Sequence, residues 1–509
     1  MREKIKKTGL LFVLAAFPLC ALMAQESGFA SGEGTERNPY LIKSPQQLSN
    51  LRNYLGDSYK DLHYKLGADI DISGYCFQTY GEDGWMPVGN SDALCFDGHL
   101  DGNGHSVIGL WLNNSTSVVH AGLFGVTGEN CLIENLRVET HDRRQGVLGN
   151  RCRAGAIVGY NKGAIRQCSS RATIKTDGMS VRAGGIAGIN YGQITDCYSD
   201  VIISGNGSNT SFGGIAGENR SLIARCHADV NISKGYACGG LTGSNYGGEI
   251  IKCYATGTIT KSEIVGGIAG VHNRSAFADG LISRSYADVA VSGTTSAGGL
   301  VGFVWYDKAL IINCYALGDV SGTGLIGGLI GENYGLITNC YAVNTVTGSN
   351  YAGGLIGENR STGVINNCYF PEDSHIEGVA DGDWDKTAVS EPTLLQMMHH
   401  ATFLFFDFDS IWGIREGWTY PYLIGVGNDF GITANEQPDI EATAFQAYCS
   451  GGTLCLKGIS RGDEVNIYTI GGQLVTRFTA SNNTEYKPLN IKGILIVSSG
   501  GRSIKVVSK

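Results

Sequence analysis

The chain has 509 residues, of which 75 are Gly and only 9 are Pro, and no Gly-x-y triplet is kept, so a collagen-like molecule is excluded. Apolar residues make up 42% and aromatic residues 9%, enough to bury a core, which excludes intrinsic disorder. The net charge of −9 and pI near 5.6 argue against nucleic acid and against an anionic membrane surface as partners.

Residues 1–24 read as a secretory signal peptide. Arg2, Lys4, Lys6 and Lys7 form a basic start, Gly9 to Ala21 is apolar, and Ala24 precedes a plausible cleavage point. The apolar run is short against the roughly 20 residues of a spanning helix, and no later segment has the length to cross a bilayer. The expectation is an exported protein, at the cell surface or extracellular, with no transmembrane segment in its mature chain.

Residues 32–120 are expected to hold an N-terminal cap and the first coils. Ser44-Pro45-Gln46-Gln47 has the form of a helix start, with Leu48, Leu51 and Leu55 on one face. Strands are predicted over 64–72 and 106–112, with Asp101 to Gly104 as a turn.

Residues 121–370 carry nine copies of one phrase: Gly-Gly-Ile/Leu-x-Gly, a polar turn, Ile, then Cys-Tyr-Ala. The third motif glycine falls at Gly125, Gly159, Gly188, Gly217, Gly243, Gly270, Gly302, Gly331 and Gly357, at spacings of 26 to 34 residues. Such a period means stacked coils. The fold class is therefore all-β: a right-handed parallel β-helix with a short N-terminal capping helix, plus a small C-terminal β-sandwich-like domain. Around Gly328 the predicted strands are 328–331, 336–342 and 343–346.

Several columns run through the repeat. Cys168, Cys197, Cys226, Cys253, Cys314, Cys340 and Cys368 share one position, with Ser285 as the eighth member. We read them as small buried thiols that pack like apolar groups rather than as disulfides. Asn161, Asn190, Asn219, Asn245, Asn273, Asn333 and Asn359 follow the motif glycine and read as an amide ladder that satisfies the corner backbone. Glu218, Glu332 and Glu358 form an interrupted column that reads as a variable turn position rather than a catalytic set. Tyr191, Arg220, Tyr246, Arg274, Tyr334 and Arg360 fall on turns. Tyr and Arg are enriched at binding surfaces and stack by cation–π contact, so this column is the candidate binding face. The tyrosines after the cysteines (Tyr198, Tyr254, Tyr286, Tyr315, Tyr341 and Tyr369) should point outward if the thiols point inward. They then form either a second aromatic strip or packing under neighbouring loops.

Residues 371–423 read as the C-terminal cap of the solenoid, with a helix over 394–401; 424–440 read as a linker and 441–509 as a separate small β domain. Cys449 and Cys455 flank Ser-Gly-Gly and are a possible disulfide across that turn. His399-His400 lacks the spacing and Glu of an H-E-x-x-H metal site. Asp381, Asp383 and Asp385 imitate the start of a calcium loop, but Lys386 and Pro392 stand where Gly and Glu are needed, so an acidic surface loop is the better reading. No metal and no cofactor is expected.

The phrase GGLIGENYGLITNCYA (327–342) resembles the GLUG motif. Similarity extends from Gly32 to Leu423, through YKLGADIDISG, FDGHLDGNGHSVIGLW and FDFDSIWGI. That family includes surface proteins and non-catalytic regions of bacterial IgA-specific metallopeptidases. The resemblance implies a β-helix-like stack and a surface or adhesive role. The tail VNIYTIGGQLV…GILIV…KVVSK is similar to the sorting domains of type IX secretion in Bacteroidetes.

The function expected is adhesion or ligand binding at a bacterial surface, with an extracellular glycan or a host or bacterial surface protein as partner. Two alternatives stand beside it: a polysaccharide lyase or hydrolase on a pectin-lyase-like β-helix, and a structural stalk. No reaction is read from the sequence.

Overall fold

A computed structural model describes residues 28–113, 119–141, 147–148, 151–276, 278–348, 351–372, 376–382 and 384–427. It also describes 446–450, 453–457, 459–469, 473–481, 484–488, 493–499 and 502–508. The signal-peptide reading (1–24) and Asp383 lie outside the described residues. The chain divides into two compact units at Gly427/Asn428.

The first unit is a β-solenoid of three parallel sheets. Sheet 1 has 12 strands, sheet 2 has 22 strand segments and sheet 3 has 10. One coil shows the scheme. Ala187–Asn190 lies in sheet 3, Gln193–Thr195 in sheet 1, and Tyr198–Gly205 and Ser211–Gly213 in sheet 2. Each segment pairs in parallel with its counterpart in the next coil, as in Ala187↔Ala216, Gln193↔Leu222 and Tyr198↔His227. At about 4.8 Å per rung, the 12 strands of sheet 1 extend over roughly 50 Å.

The paired glycines exist because coils approach too closely for a side chain. A Cβ on Gly185 would lie 1.8 Å from Ser199 Oγ and 2.3 Å from Gly214 O. Its backbone is otherwise ordinary, so close approach rather than left-handed φ selects glycine here. Ile and Ala of the motif point inward and form one continuous core, including Ile186, Ile215, Leu241, Ile268, Leu300, Leu329 and Leu355, all fully buried.

The left-handed residue sits elsewhere, immediately before the cysteine column. Gln167, Asp196, Arg225, Lys252, Arg284, Asn313, Asn339 and Asn367 all have φ between +47° and +56°. This corner breaks the strand predicted over 336–342 into Leu336–Thr338 and Tyr341–Ala342. Likewise 64–72 divides into His63–Leu66 and Ile70–Asp71.

Helix α1 (Pro45–Asn50) starts where predicted, and Ser44 Oγ accepts from Gln47 N at 3.3 Å. Its Leu48 and the following Leu51 are fully buried at the solenoid's first coil. A second helix, α2 (Ser73–Tyr80), was not legible. At the other end, Val379–Gly382 adds the last strand to sheet 3 and Val389–Ser390 pairs with Cys368–Tyr369. The helix predicted over 394–401 is instead two 3₁₀ turns, Gln396–Met398 and His400–Thr402. The segment they open does not cap an end. It runs along the flank of sheet 2, where Phe403, Phe406, Trp412 and Leu423 pack on Tyr315, Tyr341 and Tyr369. The Tyr341 hydroxyl donates to Pro421 O.

The second unit holds two antiparallel sheets of three and four strands around a shared core of Leu454, Leu456, Val465, Ile467, Leu495 and Val497. Its first hairpin pairs Cys449 with Leu454 and Tyr448 with Cys455. The expected facing of Cys449 and Cys455 is therefore out of register by one residue, and their side chains lie outside the described residues.

Candidate functional site

All seven column cysteines are buried, at 0–2% exposure, and carry free thiols. Each Sγ lies 3.2–3.4 Å from the carbonyl two residues before it. The next coil's thiol also accepts backbone N–H, as from Cys197 N to Cys226 Sγ at 3.4 Å. Ser285 keeps this geometry: Cys253 N donates to its Oγ at 3.1 Å. Burial pushes the Cys197, Cys226, Cys253, Cys340 and Cys368 thiols far above the usual range, so they are not nucleophiles.

The amide column is a hydrogen-bonded ladder in the interior. Asn161 Nδ2 donates to Asn190 Oδ1, Asn190 to Asn219 and Asn219 to Asn245, each at 2.8 Å. Asn333 donates to Asn359 at 2.8 Å. The spare N–H of each amide satisfies a corner carbonyl, as at Gly163, Ser221 and Gly335. Asn273 does not belong to this ladder. Register pairs Asn245 with His272, which follows Gly270 by the two residues that every ladder amide keeps from its glycine, whereas Asn273 follows by three.

The tyrosines after the cysteines also stack along the axis. Tyr198, His227, Tyr254, Tyr286, Tyr315 and Tyr341 follow one another at centroid distances of 4.5–5.1 Å, and all but the first pair lie within 6° of parallel. Each ring face is covered by its neighbour, so the ladder offers ring edges rather than a platform. Three of the column tyrosines, Tyr315, Tyr341 and Tyr369, are further covered by the 394–426 segment.

The Tyr/Arg column lies at the corner where sheet 3 passes into sheet 1. Arg220 is sandwiched between Tyr191 and Tyr246, its Cζ 5.4 and 5.3 Å from their ring centroids. The Glu218 carboxylate, only 4% exposed, holds it at 2.5 Å and is held in turn by Arg182 at 3.0 Å. Arg274 falls outside the column, which at that coil contains Asn273 and then Trp305. It lies instead over the Tyr306 ring at 4.9 Å. Trp305 holds the column position three residues after Gly302, and Tyr306 follows it; they expose 46% and 43% of their surface, and Tyr191 exposes 45%.

Farther along, Arg360 lies 5.9 Å from the Tyr334 ring, bonds Glu332 at 2.8 Å and pairs with Glu358. The Glu column is thus on a sheet-3 strand, not a turn: Glu332, Glu358 and Asp381 are register partners on successive rungs. Burial, partly countered by Arg360 and reinforced by Glu332 and Asp381, holds the Glu358 carboxyl above its ordinary range.

The calcium-like loop is committed locally. Asp381 Oδ1 accepts from Gly382 N, and Asp385 Oδ1 accepts from Thr387 N and Oγ1. Among the described residues no group of three or more His, Cys, Asp or Glu is placed to hold a metal ion. No described helix is long and apolar enough to cross a membrane.

These features define a parallel β-solenoid built from GLUG-type repeats. The GLUG motif matches residues 235–260, 293–321 and 322–347. Over 160 residues, 31% of the chain, it is 42% identical to a candidate Gly-rich membrane protein of Evansella cellulosilytica, with 18% of that protein covered. Over 151 residues it is 30% identical to halomucin of Haloquadratum walsbyi, with 2% of that protein covered. The chain thus spans less than a fifth of either relative. A crystal structure of a candidate immunoglobulin A1 protease from Bacteroides ovatus aligns over 78% of this chain and 95% of that one. Its identity is 20% and its TM-score 0.36.

Proposed function

We propose that this is an exported surface protein that binds extracellular ligands, glycan or protein, through the corner between sheets 3 and 1. One observation carries the reading. Tyr191, Arg220 and Tyr246 form a stack fixed by the Glu218 and Arg182 ion pairs, so exposed aromatic surface is held rigid before any ligand arrives. Rigid Tyr, Trp and Arg groups contribute most to binding, because little side-chain freedom is lost. Trp305, Tyr306 and Arg274 repeat the arrangement farther along the axis, and weak contacts in series add through effective concentration. The GLUG matches and the names of the relatives, a membrane protein and a halomucin, support a surface location. Residues 1–24 act as the export signal, and 441–509 as a sorting or anchoring module of the type IX kind.

A polysaccharide-degrading enzyme draws on a different observation, the convergence of Glu332, Glu358, Asp381 and Arg360. Arg360 engages both glutamates, which leaves neither free as a base. Binding is the better reading.

The test is an array of glycans and matrix proteins probed with the full chain and with a variant carrying Tyr191→Ala, Tyr246→Ala, Trp305→Ala and Tyr306→Ala. Loss of at least tenfold in signal is expected. Equal binding by both proteins eliminates this face.

A further inference from the structure

An open cleft of about 530 Å³ lies beside Tyr191, lined by Glu129, Tyr160, Lys162, Tyr191, Gln193 and Ser221. Its residues come from four successive coils at the sheet 3 to sheet 1 corner, so it extends along the axis for roughly 14 Å. One wall is aromatic. The Tyr160 and Tyr191 rings stand 5.3 Å apart and are tilted by 44°. Arg153 Cζ, 4.9 Å from the Tyr160 centroid, and Arg220 over Tyr191 fix both rings.

The floor is backbone. Gly163 and Gly192 lie in it, and a Cβ on either would come within 2.4 and 1.9 Å of a carbonyl of the neighbouring coil. Neither glycine brings a side chain into the cleft. The rim opposite the rings is polar and uncommitted. The Glu129 carboxylate, the Gln193 amide and the Ser221 hydroxyl make no hydrogen bond or ion pair with another described residue. Lys162 closes one side, with its charge balanced by Asp92 at 2.7 Å.

This combination selects a ligand class. An aromatic wall accepts a flat apolar CH face. The rim opposite it supplies an acceptor (Glu129), two groups that both donate and accept (Gln193 and Ser221), and a donor (Lys162). A nucleic acid is disfavoured by the Glu129 carboxylate and the net charge of −9, and an amphipathic helix needs an apolar groove. Resting on the binding reading above, we propose that this cleft binds a pyranose unit of an extended neutral glycan, with the sugar ring against Tyr191 and its hydroxyls on Glu129, Gln193 and Ser221. The cleft is open to solvent, so the chain continues from it along the solenoid.

The test is saturation-transfer NMR and calorimetry on the full chain. The probes are linear hexasaccharides of β-1,4-linked glucose, β-1,4-linked N-acetylglucosamine and α-1,4-linked glucose, with a polyproline peptide as the protein-class comparison. At least one hexasaccharide is expected to bind saturably, with saturation transferred to its ring CH protons. Tyr191→Ala weakens it at least tenfold and Gln193→Ala about threefold, whereas Leu404→Ala, at an exposed side chain of the 394–426 segment, changes it less than twofold. The Gln193 side chain is exposed and makes no hydrogen bond to another described residue, so its truncation does not threaten folding. Absence of binding by all three sugars, peptide binding alone, or equal sugar binding by Tyr191→Ala overturns the proposal. The array separates the two readings. Protein ligands lost by the four-residue variant, without any sugar binding, leave the face standing and remove the cleft. Sugar binding at the cleft, with an array indifferent to that variant, does the reverse.

Discussion

Asn245 Nδ2 donates to His272 Nδ1 at 3.1 Å, at the end of a run of amides from Asn161 to Asn245 and next to Val304 on the following rung. The orientation is fixed from below, since Asn219 Nδ2 donates to Asn245 Oδ1. An amide NH₂ cannot accept, so Nδ1 carries no proton and Nε2–H donates to Leu310 O at 3.2 Å. A second proton on this ring would face the amide NH₂ inside the core.

Acid should therefore weaken the solenoid through His272. Burial lowers its pKa to about 4, against about 6.5 when unfolded. The unfolded chain binds the proton first, so the contribution is complete above about pH 6.5 and is lost as pH falls toward 4. Its size is on the order of 3 kcal/mol. His272→Asn, which extends the amide ladder, should flatten this part of the profile. Urea unfolding at pH 7 and pH 4.5 checks it: a wild-type loss no larger than the variant's contradicts the account.

The thiol column predicts a graded series at Cys226. Cys226→Ser should cost roughly 1 kcal/mol, because Ser285 already shows that a hydroxyl meets the same backbone groups. Cys226→Ala strands Cys197 N–H and leaves a small void, at about 2 kcal/mol. The native protein should react with a thiol reagent only as fast as it unfolds. Chemical denaturation of the two variants and a reaction time course supply the measurements, and Ala milder than Ser would reject the hydrogen-bond role.

The stacked architecture, the inward thiols and the amide ladder were legible because they are local and recur in step. What was missed lies where the step changes or contacts are distant. Arg274 was assigned by residue type although it follows Gly270 by four residues where the other members follow their glycines by three, and register puts Asn273 beside Tyr246. The left-handed corner was missed because its column is mixed: Asp196, Asn313, Asn339 and Asn367 favour it, but Gln167, Arg225, Lys252 and Arg284 do not, and stacking imposes it on them. Trp305 was missed because the column was sought as Tyr and Arg only, although it stands three residues after Gly302. Glu129 joins the cleft from a coil whose motif is degenerate. The position of 394–426 depends on contacts across some 80 residues, as between Tyr341 and Pro421, and no periodicity reports those.

The ion pairs at Glu218 should be non-additive. Arg220→Ala leaves the buried carboxylate with Arg182, and Arg182→Ala leaves it with Arg220, so each alone should cost about 1 kcal/mol. Removing both strands a charge that is 4% exposed and should cost 3 kcal/mol or more. A double-mutant cycle by urea denaturation measures the coupling, and simple additivity refutes shared support.

The segment over the tyrosine ladder makes the last prediction. Phe403, Phe406, Trp412 and Leu423 are buried on Tyr315, Tyr341 and Tyr369, whereas Tyr198 and Tyr254 on the same ladder remain half-buried. Axial stacking continues beyond the cover, since Tyr198 and His227 keep a centroid distance of 4.5 Å, tilted by 30° where the covered Tyr315 and Tyr341 lie within 2°. The cover is thus an addition to the solenoid rather than a condition for its coils. Trp412→Ala removes a fully buried side chain from the cover alone, at about 3 kcal/mol locally. It should raise hydrogen exchange across 394–426 and admit an apolar dye to the tyrosines, while exchange in the Asn161–Asn245 coils stays as in the parent. Loss of protection in those coils as well would mean that the cover and the stack fold as one unit.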